Sequence, residues 1–273
     1  VPAAGPELAF ARNLLGQAKR PIMIAGVEVL EHDAAETVAS LARDFSIPVI
    51  TTYKAKGVLP EDDPLALGGW GLSPLGDKHL MPLIETADLI LLAGYDPIEM
   101  RSSWVAPWDP VKTPVIEFSA TANTHYVHQA SFSFVGDIGA GLRALRDGVI
   151  PGPVWSNGAA LETRKALAAA FPTDEAWGPA AICDEVNRLL PDHAMVSCDT
   201  GAHRILLNSV WKCAEPHTLI QSSAFGSMGC GMPLAAGVKL VDPDRPVVAF
   251  TGDAGLEMIL GELATLRDRK LPL

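Results

Sequence analysis

Apolar residues in this chain occur in two alternating kinds of segment. In one kind they recur three and four positions apart. Leu8, Ala11, Leu14 and Leu15 do so within 7–18, Val38, Leu41, Ala42 and Phe45 within 34–45, and Ala181, Ile182, Val186, Leu189 and Leu190 within 179–190. That spacing lines one face of a helix. The other kind is short and nearly unbroken, at 21–26, 48–52, 88–94, 115–119, 194–198, 218–222 and 247–251. A strand of a parallel sheet, covered on both faces, reads as such a run. Strand and helix in alternation make βαβ units, so the pattern predicts parallel α/β architecture.

Further helices are expected at 79–86, 138–146, 159–170 and 204–211, and a short strand at 132–135. The Gly/Pro-rich stretch 53–78 reads as irregular, with only a short apolar piece at 65–67. Pro151-Gly152-Pro153 interrupts the pattern as a linker would. The expected organisation is a first α/β domain over 1–148 with five or six strands, a linker with a helix over 149–178, and a second domain over 179–273. The fold class is thus α/β, with two open parallel-sheet domains.

Open α/β sheets bind ligands beyond the carboxyl ends of their strands. The strand at 247–251 ends in Gly252-Asp253-Ala254-Gly255, with a helix expected from about Leu256. Glycines there let backbone amides approach an anion, and Asp253 adds a hard oxygen ligand, which suits a phosphate bridged by Mg²⁺. A plain strand-to-helix turn with an Asp cap has the same residues. The strand at 194–198 runs into Asp199-Thr200-Gly201-Ala202-His203-Arg204. Gly201 permits close approach, and the amides of Ala202 and His203 open the next helix. His203 is either a donor to a phosphate or an exposed helix-start residue, and Arg204 reads as a solvated helix residue. After Ala224, an apolar helix-like run is punctuated by Gly226, Gly229, Gly231 and Gly237 and contains Ser227 and Met228. In the first half, Gly26 and Gly94 stand at strand ends, yet no GxGxxG follows 21–26, which disfavours a nicotinamide-dependent dehydrogenase. Trp104 and Trp108 are either a nucleotide-stacking pair or aromatic packing under a long loop.

Charge narrows the partners. The 273 residues carry a net charge of −11 without a basic run, which disfavours nucleic acid and acidic membrane surfaces. No apolar run approaches the ~20 residues of a membrane span. The first residues lack the basic and apolar regions of a secretion signal. Cys183, Cys198, Cys213 and Cys230 show no CxxC spacing and read as free thiols of a cytoplasmic protein.

The pairing of GDAG with the upstream GSMGCG resembles the diphosphate-binding domain of thiamine diphosphate-dependent enzymes, in their acetolactate synthase-like branch. The first half resembles the central domain of the same family. The resemblance implies Asp253 as a Mg²⁺ ligand, Gly252, Asp253, Ala254 and Gly255 as the diphosphate cradle, and Gly201, Ala202 and His203 as a second contact to the diphosphate. Ala254 stands where the family usually has a second Gly. Gly226 and Ser227 would line the pyrimidine, and Met228 would sit beneath the bent cofactor. Gly229 and Gly231 read as close-packing glycines. Residues 91–101 look like branches that do without flavin, so FAD is not expected. The implied activity is decarboxylation or carboligation of a 2-oxo acid by a homodimer or tetramer. The family's catalytic Glu lies in an N-terminal domain with no candidate here, and its second metal ligand, an Asn, would fall past Leu273. Val1 in place of Met and a strand-like start at 270–273 suggest an interior piece of something longer, inactive alone. The alternative is a non-catalytic nucleotide-binding or assembly module that retains the fold.

Overall fold

Five of the seven unbroken apolar runs become strands buried throughout, while those ending the second unit's sheet at 219–221 and 247–250 are buried in part. In the computed structural model, which describes residues 2, 4–101, 104–124, 126–222 and 225–273, the chain forms two units, 1–170 and 171–273.

The first unit runs α1 (Pro6–Gln17), β1 (Pro21–Ala25), α2 (Glu28–Glu31), α3 (Ala35–Phe45), β2 (Val49–Thr52), β3 (Ala66–Trp70), α4 (Pro74–Thr86), β4 (Leu89–Ala93), β5 (Val115–Ser119), β6 (Phe132–Val135), α5 (Ile138–Arg146) and α6 (Ala159–Ala170). Its strands are all parallel, in the order β3-β2-β1-β4-β5-β6. Every residue of β1 and β4 is buried. One face of the sheet packs Met23, Leu91, Ile116 and Phe118 against Val38, Leu41 and Phe45 of α3 and Leu142 and Leu145 of α5. Each such side chain contributes about 1.5–3 kcal/mol on burial. α3 stops where Ser46 turns left-handed at φ 53° and Ile47 N–H returns to Ala42 O at 2.8 Å, a closure that satisfies helix-end carbonyls.

One expectation needs correcting here. Residues 53–78 are not irregular throughout: they hold β3, and α4 begins at Pro74, behind an N-cap in which Ser73 Oγ accepts from Gly76 N–H. The glycines that suggested a loop have a packing reason. A methyl group on Gly69 would stand 2.3 Å from Cγ of Lys56, whose buried ammonium meets Glu61 at 2.6 Å. The first compact unit also takes in part of the segment expected as a linker. Trp155 Nε1–H donates to Pro21 O at 2.6 Å, and Arg164 donates to Asp62 O at 3.1 Å, so 149–170 packs with the first unit.

Strand order reverses between β1 and β4, where such sheets bind ligands. Here Gly26 and Gly94 let the chain close on itself: a methyl group on Gly26 would lie 2.2 Å from Gly94 O. Trp104 is buried and Trp108 packs on Tyr95 and His128, with its indole N–H donating to Gln129 O at 3.0 Å.

The second unit runs α7 (Pro179–Leu189), β7 (Met195–Cys198), α8 (Ala202–Val210), β8 (Leu219–Gln221), α9 (Gly231–Val241), β9 (Val247–Phe250), α10 (Asp253–Met258) and α11 (Glu262–Arg269). Its parallel sheet has the order β8-β7-β9. Val196, Cys198, Leu207, Val210 and Trp211 pack on one face, and Met195, Ala235 and Val247 on the other. All four cysteines are free thiols. Among the described residues no helix is long and apolar enough to cross a membrane.

Candidate functional site

The carboxyl ends of β7 and β9 are neighbours in the second sheet, with Cys198 opposite Phe250. The turns that follow them therefore open at the same edge. After β7, Gly201 caps α8, and Ala202 and His203 are its first residues. After β9, Gly252 caps α10 and Asp253 is its first residue. The expected start near Leu256 is thus three residues late, and Asp253 lies inside the first turn rather than capping it.

The two turns meet through the imidazole of His203. A methyl group on Gly201 would stand 2.8 Å from His203 Cε1 and Nδ1, and one on Gly252 would stand 3.2 Å and 3.3 Å from the same atoms. Space, not torsion, favours glycine at both positions, more at 201 than at 252, where the ring need give only a few tenths of an ångström. His203 Nε2 is buried and has no hydrogen-bond partner. Burying a polar nitrogen unpaired costs about 1–3 kcal/mol, so an orphan in a glycine-lined cleft marks a place built for an outside partner.

The glycine-rich segment joins the same place, but not as a helix. α9 begins only at Gly231. Gly226 and Gly229 before it have φ of 62° and 84°, which glycine adopts without strain. Gly226 lies across from Thr200, and Gly229 against α10, where a methyl group added to it would stand 3.3 Å from Gly255 O. Between them Ser227 and Met228 are exposed, Met228 at 42%, so Met228 is not core packing. Gly231 does pack closely, since its methyl group would lie 3.0 Å from Asp199 Cβ. Ala224, the first residue of the segment, lies outside the described residues.

Within the GDAG turn, Asp253 and Ala254 are exposed and Gly255 is buried. A methyl group on Gly255 would stand 2.2 Å from Asp199 Oδ2. The position that demands glycine is therefore 255, and Ala254 has room for its side chain.

Two residues beside the site have roles the linear pattern did not reveal. Asp199 is fully buried. Its Oδ1 accepts from Thr200 N–H at 2.7 Å and Cys230 N–H at 3.1 Å, and its Oδ2 from Gly229 N–H at 2.9 Å. Arg204 is not solvated but buried. Its guanidinium donates to Gln221 Oε1 at 2.9 Å, to Ser222 O at 3.1 Å and to Thr200 Oγ1 at 3.4 Å, bracing the end of β8 against the turn after β7. Burial pushes the Cys198 thiol up to about 12 and raises that of Cys230, which also faces the Asp199 carboxylate. Both thiols therefore stay protonated at neutral pH and supply no nucleophile.

The cleft offers an orphaned imidazole nitrogen, close backbone and one exposed carboxylate, a donor set that fits a diphosphate. No group of three or more His, Cys, Asp or Glu able to hold a metal ion occurs among the described residues. A cation here would need phosphate oxygens and water to complete its shell, as Mg²⁺ commonly does.

Residues 8–145 match the family described as thiamine pyrophosphate enzyme, central domain, and residues 199–273 match thiamine pyrophosphate enzyme, C-terminal TPP binding domain. The sequence is 28% identical to the acetolactate synthase of Bacillus subtilis, over 100% of this chain and 49% of the relative. It is 28% identical to the acetolactate synthase large subunit of Parasynechococcus marenigrum, over 100% of this chain and 44% of the relative. For the acetolactate synthase isozyme 1 large subunit of Escherichia coli the values are 27%, 96% and 46%. The chain thus spans about half the length of these curated relatives.

Proposed function

Because the chain belongs to the thiamine pyrophosphate enzyme family, we propose that its second unit holds the diphosphate of thiamine diphosphate, with Mg²⁺, for an acetolactate synthase-like reaction on a 2-oxo acid. The observation that carries this reading is that the 201–203 and 252–255 turns meet at the imidazole of His203, whose Nε2 is unpartnered, while the 226–229 turn lies beside them against Thr200 and Gly255. When bound, the cofactor supplies an electron sink for decarboxylation of the acid, followed by protonation or carboligation.

The chain's own residues hold and orient. His203 Nε2 donates to a diphosphate oxygen, and the glycines at 201, 252 and 255 bring the backbone close. Asp253 supplies the carboxylate to Mg²⁺. Gly226 and Ser227 line the pyrimidine side, and Met228, exposed on a turn fixed at both ends by glycine, supports the bend between the cofactor's two rings. A homodimer or tetramer is part of the proposal, and among the described residues no helix is long and apolar enough to cross a membrane.

Calorimetric titration of the chain with thiamine diphosphate, with Mg²⁺ and with EDTA, tests the reading. Saturable heat that requires Mg²⁺ and disappears in Asp253→Asn supports it. Binding that ignores both Mg²⁺ and Asp253 would instead favour a module that kept the fold without the cofactor chemistry.

A further inference from the structure

Resting on that reading, we infer that Asp199 is a positioning residue that holds the Met228 turn to the diphosphate cradle. The carboxylate is fully buried and faces backbone on each side. Oδ2 accepts from Gly229 N–H at 2.9 Å, while Oδ1 accepts from Thr200 N–H, Cys230 N–H and, at 3.3 Å, the Cys230 thiol. One side chain thus fixes the two amides that directly follow Met228 and the first amide of the turn leading to His203. Its outer oxygen also occupies the space a side chain at Gly255 would need, 2.2 Å from that position, so the start of α10 closes on the carboxylate too. Gly229, left-handed at φ 84°, is gripped from its other side by Ile259 Cγ2, 2.9 Å from where its Cβ would be.

The contacts are unequal, and that gives the test its direction. Asn at 199 keeps most of its acceptor role by leaving its oxygen at the Oδ1 position and its NH₂ at the Oδ2 position. The NH₂ then faces Gly229 N–H, donor against donor. The loss falls on the Met228 turn, while the Thr200 side of the cradle stays bonded. Binding of the whole cofactor should suffer more than binding of its diphosphate end.

The experiment compares wild type with Asp199→Asn by calorimetry in Mg²⁺, using thiamine diphosphate and inorganic diphosphate as separate probes. One lost hydrogen bond predicts about tenfold weaker thiamine diphosphate binding, with inorganic diphosphate within about twofold of wild type. Amide exchange without ligand should show faster exchange at Gly229 in the variant, while Cys230 N–H, still bonded to the retained oxygen, should change little. Gly229→Ala, which displaces the same turn and leaves the carboxylate intact, should repeat the pattern and serves if Asp199→Asn does not fold. Equal weakening of both probes, or none, in a folded variant would overturn the positioning role. Unchanged exchange at Gly229 would overturn it independently of any ligand. If the wild-type chain binds neither probe, it is the cofactor reading that fails, and the exchange data still decide whether Asp199 holds the turn.

Discussion

The imidazole of His203 lies over Gly252 so closely that a single added methyl group would come within 3.2 Å of its Cε1. Two turns from opposite ends of the second unit's sequence share one ring, whose Nε2 has no hydrogen-bond partner. Gly252→Ala should push the ring by a few tenths of an ångström. Because Gly also serves better than Ala as an N-cap, the variant should lose only about 0.5–1 kcal/mol of stability. Its thiamine diphosphate affinity should fall about tenfold. Thermal melts and calorimetry on the same samples separate the two effects.

The GDAG turn makes a paired prediction. Gly255→Ala places a methyl group 2.2 Å from Asp199 Oδ2, inside a buried hydrogen-bonded cluster, and should cost about 1–3 kcal/mol by overpacking. Ala254→Gly, at an exposed position, should cost only the helix propensity difference, about 1 kcal/mol or less. Denaturant melts that ranked the two variants in the opposite order would contradict the packing described for Gly255.

Arg204→Met should destabilise the second unit although it removes a charge from a buried place. The methionine fills much of the volume but removes the donor at 3.1 Å from Ser222 O and the one at 2.9 Å from Gln221 Oε1, which keeps Asn208 Nδ2–H at 3.1 Å. Loss of the two charged donors predicts a loss of about 1–3 kcal/mol, readable in urea melts.

The first unit makes a pH prediction. Glu99 is buried, accepts from Thr52 Oγ1–H and, at 3.2 Å, from Val27 N–H. Burial raises its carboxyl from 4.5 to about 7, against the opposing effect of those two hydrogen bonds and of Lys54. Between these values the unfolded chain has released the proton and the folded chain keeps it. The folded state binds more protons there, so stability falls as pH rises from about 4.5 to about 7. The full shift corresponds to about 3 kcal/mol at most. Glu99→Gln should flatten that slope in a series of melts from pH 4.5 to 8, and an unchanged slope would rule out Glu99 as its source.

Much of this was legible in the sequence, for reasons that particular segments show. β1 and β4 announced themselves because both faces are covered, leaving no polar position to interrupt the run. The turns at 201–203 and 252–255 were legible because each directly follows an apolar run that forms a parallel strand, buried throughout in β7 and partly in β9. β3 was hidden because Gly68 and Gly69, which read as loop, make way for Trp70 and Lys56, and no local pattern records a neighbour that passes overhead. Asp199 escaped because its partners are backbone amides, which leave no complementary side chain to find. Arg204 looked solvated because helical spacing shows where a side chain starts, and its guanidinium instead reaches across to β8.

The proposed site of thiamine diphosphate and Mg²⁺ is where the three turns of the second unit lie together. Hydrogen exchange of the chain with and without cofactor and Mg²⁺ reads that location residue by residue. The predicted result is slowed exchange at 201–203, 226–230 and 252–255, with the ends of β1 and β4 at Gly26 and Gly94 unchanged. Protection confined to Gly26, Gly94 and their neighbours, or protection that does not need Mg²⁺, would contradict the account.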